Sequence, residues 1–182
     1  MKTTNGNILI RTSIVLLMLT IQGFSQASSR VDDIYMKVPI KFPLDTSDFE
    51  KISSVYGYRL HPIYNNVKMH HGIDLVAKKG KPVFATGSGI IEVSDYDTGY
   101  GNRILIAHGS KIKTLYAHLW IKMVTVGEKV HNGQLIGFVG DTGRVTGTHL
   151  HYEVWFKNKR INPMLIWKNF YAKKSNSKKY KR

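Results

Sequence analysis

Short runs of β-branched and aromatic residues, broken at close intervals by glycine and asparagine, predict an all-β domain over residues 51–168. Two further observations agree. No stretch of this region sustains the 3.6-residue apolar period of an amphipathic helix. Ten tyrosines, seven phenylalanines and three tryptophans supply the large apolar bodies that pack sheet faces. At 182 residues the chain is long enough for one domain with a real core and too short for two large ones.

The elements follow in order. Residues 1–27 have the layout of a secretory signal peptide: Lys2 and Arg11 precede an apolar run from Ile14 to Ile21, followed by small and polar residues ending near Ala27. The alternative, an uncleaved anchor, needs about 20 apolar residues to span a bilayer, and this run is much shorter. Residues 28–50 mix charge, prolines and scattered apolar residues without a period, as expected of a short, partly extended lead-in. The strand-like segments come next: "KPVFATGSGIIEVSDYD", "GNRILIAHG", "KIKTLYAHL", "QLIGFVGDTG" and "HLHYEVWFKNKRINP". Residues 169–182 form a basic tail whose last ten residues carry six positive charges and nothing to bury; it is expected to be mobile, either as a tether to an anionic surface or as a solubilising end.

Charge and cysteine content narrow the function classes. The formal net charge is +15, and removal of the leader with its Lys2 and Arg11 leaves +13. Such a chain is drawn to polyanions, and for an exported protein anionic lipid or cell-wall polymer is expected rather than nucleic acid. The absence of cysteine excludes disulfides, thiolate ligands, a cysteine nucleophile and acylation at a lipoprotein cysteine. Any metal here is held by nitrogen and oxygen.

Three short motifs supply such atoms. In "GTHLHYEV", His149 and His151 occupy alternate positions of a strand and share a face. In "KMHHGIDLVA", His70 and Asp74 are four apart with Gly72 between them, a residue that permits a turn or a close backbone approach. In "TLYAHL", strict alternation places Leu115 and Ala117 on one face and Tyr116 and His118 on the other. Together these give one carboxylate and four imidazoles, enough for three zinc ligands with two histidines left for acid, base or oxyanion roles.

The remaining candidates have plainer readings. His71 adjoins His70 and points away from it in an extended backbone, a structural or supporting role; His61, His108 and His131 sit beside turn residues and read as turn or surface histidines. Glu153 continues the alternation of His149 and His151, either as an ordinary sheet carboxylate or as a group that orients a ligand imidazole.

The segments "GYRLHP", "HHGIDLVA", "GKPVFATGSGIIEVSDYDTGYGNRILIAHG", "TLYAHL", "VGEKVHNGQLIGFVGDTGRVTGTHLHYEV" and "INP" resemble, in order and from about Ser53 to Pro163, the lysostaphin/LytM family of zinc metalloendopeptidases. The resemblance implies a glycine-rich antiparallel β-sheet sandwich of the duplicated hybrid motif type, with a groove holding one zinc ion. It implies that His70, Asp74 and His151 are the metal ligands, that His118 and His149 are the catalytic histidines, and that Arg59 lies near the groove, where it holds a substrate carboxylate or braces the loop.

It also implies hydrolysis of peptide cross-links in bacterial peptidoglycan by metal-activated water, at a periplasmic or extracellular address. The "HPI…HHGID" context and the lack of a visible wall-targeting domain favour a D,D-endopeptidase over a glycyl-glycine endopeptidase. Two other classes compete. A non-catalytic activator of other wall hydrolases is disfavoured by the intact ligand set, and a sugar-transport phosphocarrier by the leader.

Overall fold

The computed structural model describes residues 38–60, 66–109 and 111–168. The leader, residues 28–37 of the lead-in, His61 and the basic tail lie outside the described residues. Among the described residues the strands are β1 (Lys51–Ser54), β2 (Gly57–Leu60), β3 (Val67–His70), β4 (Ile73–Val76), β5 (Pro82–Phe84), β6 (Gly89–Asp97), β7 (Gly101–Ala107), β8 (Ile112–Lys122), β9 (Lys129–Val130), β10 (Leu135–Val139), β11 (Leu150–Phe156) and β12 (Lys159–Ile161). A helical turn covers 163–168. The main sheet runs β1-β4-β11-β8-β7-β6-β9, with β10 joining β8 to β5, and β12 beside β11; β2 and β3 form a separate hairpin. Every strand pair is antiparallel, so the all-β antiparallel expectation holds.

Period-2 alternation assigns the faces. Ile73 and Leu75 of β4, Tyr116 of β8 and Leu150, Tyr152 and Val154 of β11 point into the main core, which Ile104, Ile106 and Ile136 complete. Burying each such side chain contributes roughly 1.5–3 kcal/mol. The intervening residues, Asp74, His151 and Glu153, therefore emerge on the opposite face. There Leu105, Leu115 and Ala117 form a second, smaller apolar cluster backed by Val93 and Tyr100.

Upstream of Lys51, Leu44 is buried in the main core, and the rings of Phe42 and Phe49 lie 5.1 Å apart. Phe42 also meets Trp167 at 5.1 Å, while the Phe84 amide donates to the Pro43 carbonyl at 2.8 Å. This segment packs as an irregular strap, which is why it shows no period in the sequence.

β8 changes partner along its length. Ile112–Ala117 pair with β11, whereas Leu119, Ile121 and Lys122 pair with β10. His118 sits at the changeover with φ of +61°. Between Asn102 and Ile104 of β7, the opposing β8 residues advance from Leu119 to Tyr116, so three steps face two: a β-bulge. The bulge resets the alternation. Leu119 joins Tyr116 in the main core, and His118 leaves the Tyr116 face on which unbroken alternation places it.

His108 also departs from the place its sequence neighbours suggest. It is buried rather than a turn or surface residue, its Nδ1 2.9 Å from the Ser88 carbonyl and its Nε2 2.8 Å from Thr114 Oγ1. The hydrogen-bonded chain continues through Tyr116 OH, Thr86 Oγ1 and Tyr152 OH. A glycine after His108 signals a turn but carries no information about what the imidazole meets across the sheet. His131 is exposed, as expected.

A Cβ built on Gly72 lies 2.5 Å from the Tyr152 carbonyl oxygen and 2.9 Å from His151 Cε1, so Gly72→Ala forces β11 away and lowers stability by about 1–3 kcal/mol. Gly147→Ala, where a Cβ meets nothing within 4 Å, is the control; equal denaturant midpoints for the two variants contradict the close-approach reading.

Burial also holds the His108 imidazole below its ordinary value of 6.5. As pH falls through 6.5 the unfolded chain takes up a proton that His108 in the folded protein refuses, so stability is lost on the acid side and not above it. The unfolding free energy should therefore drop less between about pH 7.5 and about pH 5.5 in His108→Gln than in wild type. Identical drops contradict it.

Candidate metal centre

Asp74, His151 and Ala117 stand directly opposite one another on β4, β11 and β8. Paired residues share a face, so the carboxylate and the imidazole meet across the ladder. Ser54 of β1 is paired with Asp74 and extends the row. His70 arrives from the end of β3, where its Nδ1 lies 2.9 Å from the Val55 carbonyl and 3.2 Å from Ser54 Oγ. Donation from Nδ1–H to that carbonyl leaves Nε2 facing inward. Gly72 lets this turn lie directly on β11, and the small Ala117 leaves room beside the His151 ring.

Three atoms converge as a result. His70 Nε2, Asp74 Oδ1 and His151 Nδ1 are separated by 3.1, 3.2 and 2.8 Å. All three residues are buried, and among the described residues they are the one such group whose donor atoms meet at a common point. A tetrahedral ion about 2.0–2.1 Å from each ligand spaces its ligands roughly 3.3 Å apart, close to this triangle.

The charge balance agrees. Burial pushes the Asp74 carboxyl up, but hydrogen bonds from His151 and His70 outweigh it and hold the group well below the usual carboxylate range. Burial opposes a charge on His151, yet Asp74 on one side and Glu153 on the other raise it to about 9. The centre of the triangle thus calls for positive charge, which a proton on Nδ1 or a metal ion supplies.

Two more imidazoles border the triangle. The His149 ring lies 4.9 Å from that of His118, and the His118 ring 5.8 Å from that of His151. His149 Nε2 is 3.6 Å from Asp74 Oδ1. Each ring is oriented through its other nitrogen, His118 Nδ1 at 2.9 Å from the Thr142 carbonyl and His149 Nδ1 at 2.8 Å from the Gly147 carbonyl. Burial, then the nearby charges of His151 and His149, pushes His118 down to about 4; burial also lowers His149.

All five residues singled out from the three motifs are therefore brought together, while His71 is not part of the converging group. Glu153 is fully buried, with Oε1 3.1 Å from His151 Nε2. Arg59 lines the same open groove of ≈ 780 Å³, its Nη2 3.6 Å from Asp74 Oδ2 and its Nε buried without a hydrogen-bond partner. Sequence reasoning missed Tyr100 and Arg144, which also line the groove. Tyr100 is set in place by Asp97 Oδ1, which accepts from the Gly99 and Tyr100 amides; the "DTGY" turn is the one local signal for it.

Comparison with known proteins agrees with this geometry. The chain is 42% identical over 125 residues to DD-carboxypeptidase/endopeptidase Mpg of Neisseria meningitidis, covering 69% of this chain and 29% of the relative. It is 42% identical over 131 residues to peptidoglycan DD-endopeptidase ShyC of Vibrio cholerae, covering 71% and 30%. The chain thus spans less than a third of the length of these curated relatives.

Among solved structures, a zinc-containing peptidase from Vibrio cholerae superposes with a TM-score of 0.64 at 38% identity, over 68% of this chain and 38% of that one. The catalytic domain of lysostaphin from Staphylococcus simulans gives 0.60 at 32% identity, over 65% and 92%. The family model for peptidase family M23 matches residues 68–163, more than half of the chain and all five converging side chains. The chain belongs to peptidase family M23.

Proposed function

We propose that this protein is a zinc-dependent endopeptidase that hydrolyses the peptide cross-links of bacterial peptidoglycan, with D,D-endopeptidase specificity. The observation that carries the reading is the triangle of His70 Nε2, Asp74 Oδ1 and His151 Nδ1, bordered by two imidazoles that are not part of it. The names of the relatives support the substrate class. We further propose that residues 1–27 direct export to the periplasm or cell wall and that the peptidase unit ends near Lys168. The tail over 169–182 then adds attraction to anionic envelope polymers. Among the described residues no helix is long and apolar enough to cross a membrane.

In this reading His70, Asp74 and His151 hold the ion. When bound, zinc supplies Lewis acidity, polarising an amide carbonyl and acidifying water. The chain's own groups do the rest. His118 and His149 each keep Nδ1–H on a backbone carbonyl and present an unprotonated Nε2, and burial keeps both neutral near pH 7. A neutral imidazole so placed takes the proton of the attacking water, and once protonated it stabilises the developing oxyanion or passes the proton to the leaving amine. Arg59, a cation lining the groove with its Nη2 3.6 Å from Asp74 Oδ2, binds the carboxylate of the peptide stem.

Mass spectrometry of muropeptides released from purified sacculi, with and without chelator, tests the reading. Chelation should abolish release and zinc should restore it; release that persists after the metal is stripped overturns the mechanism. His151→Ala should lose both zinc and hydrolysis. His149→Ala should retain zinc while hydrolysis falls by about 10²–10⁴-fold, and loss of metal in both variants contradicts the division of roles. Arg59→Ala should raise KM for substrates with a free carboxylate about tenfold at unchanged zinc content. An unchanged KM removes Arg59 from the binding groups.

A further inference from the structure

Glu153 is a fully buried carboxylate on β11, two residues beyond His151. Burying an ionised group costs several kcal/mol unless donors replace the lost water. Four do so here. His151 Nε2 lies 3.1 Å and Tyr100 OH 2.7 Å from Oε1, while Trp155 Nε1 lies 2.6 Å and Arg160 Nε 3.0 Å from Oε2. The four donors hold the carboxylate ionised and fix it in place, so it forms a rigid acceptor for one nitrogen of the His151 ring.

We propose that Glu153 is a positioning residue for the metal centre, acting through His151. A neutral imidazole has one N–H and one lone pair, and which nitrogen carries the proton is set by the acceptor it meets. Glu153 Oε1 accepts from Nε2–H, which leaves Nδ1 of His151 to face His70 Nε2 and Asp74 Oδ1, where it donates to Asp74 when protonated and would give its lone pair to an ion held by the three. His70 is set the opposite way, since the Val55 carbonyl accepts from its Nδ1 and leaves Nε2 inward. The two imidazoles of the triangle thus ligate through different nitrogens, each chosen by the acceptor behind it. The negative charge of Glu153 also raises the basicity of His151 as a ligand. Tyr100 joins the same carboxylate from the groove wall, so the groove surface and the metal centre share one buried anchor.

This proposal rests on the metal-binding reading above, and the test separates the two. Zinc affinity is measured by chelator competition for the full-length wild type, Glu153→Gln and Trp155→Phe. Glu153→Gln should bind zinc 10–100-fold more weakly than wild type, the range expected for loss of such a partner. Trp155→Phe removes a donor that does not touch His151, and should lower thermal stability while zinc affinity stays within about threefold.

Imidazole ¹⁵N spectra of the zinc-loaded wild type supply a readout that needs no variant: His151 should coordinate through Nδ1 with a slowly exchanging Nε2–H, and His70 through Nε2. Wild-type zinc affinity in Glu153→Gln, or His151 bound through Nε2 in the wild type, overturns the role of Glu153 while leaving the metal centre intact. Failure of the wild type to bind zinc overturns both. If Glu153→Gln does not fold, the wild-type spectra decide alone.

Discussion

The site depends on one row of the sheet. Ser54, Asp74, His151 and Ala117 face each other across β1, β4, β11 and β8, and that register alone brings an acid and an imidazole into contact although they lie 77 residues apart in sequence. A slip of one residue on β11 turns His151 and Glu153 into the core and Tyr152 outward. Such a slip is opposed from the other face, where Tyr152 stacks on Trp167 with ring centroids 5.6 Å apart and its hydroxyl bonds to Thr86. The apolar face of β11 therefore sets the register, and the polar face inherits its geometry. Packing and chemistry are coupled here because they occupy alternate residues of the same strands.

Much of this was legible in the sequence, for a definite reason. Alternation is a local property, so the shared face of His149 and His151 and the strand character of 150–156 could be read directly. The need for Gly72 was also visible, although what it must approach, the Tyr152 carbonyl and the His151 ring, depends on strand order. Strand order is not local. Nothing near His108 announces that Thr114 and the Ser88 carbonyl will close over its ring, and nothing near Tyr100 announces Glu153. The strap through Phe42, Leu44 and Phe49 escaped because irregular backbone has no period to detect.

His118 shows where local reasoning must fail. Period 2 assigns it to the face of Tyr116, and that assignment leaves it in the core, away from His149 and His151. The bulge reverses this by inserting one residue at the point where β8 exchanges β11 for β10 as its partner. The exchange is itself forced, because β11 begins at Leu150 and the edge of β8 beyond Ala117 needs another strand to satisfy its backbone groups. Topology at the sheet margin thus aims a functional side chain that the sequence pattern alone points elsewhere.

Keeping a non-glycine residue at positive φ costs of order 1–3 kcal/mol, and such residues persist only where the surroundings over-determine them. His118 meets that condition. Its amide donates to the Tyr100 carbonyl at 2.8 Å and its Nδ1 lies 2.9 Å from the Thr142 carbonyl, while the strands on both sides are anchored by Ala117 and Leu119. Histidine is among the residue types enriched in this region of φ, so the side chain required by the chemistry is one of the few that the bulge tolerates. The strain and the orientation of the ring are consequently one feature: relaxing His118 to ordinary strand geometry removes the bulge, and with it the imidazole from the groove.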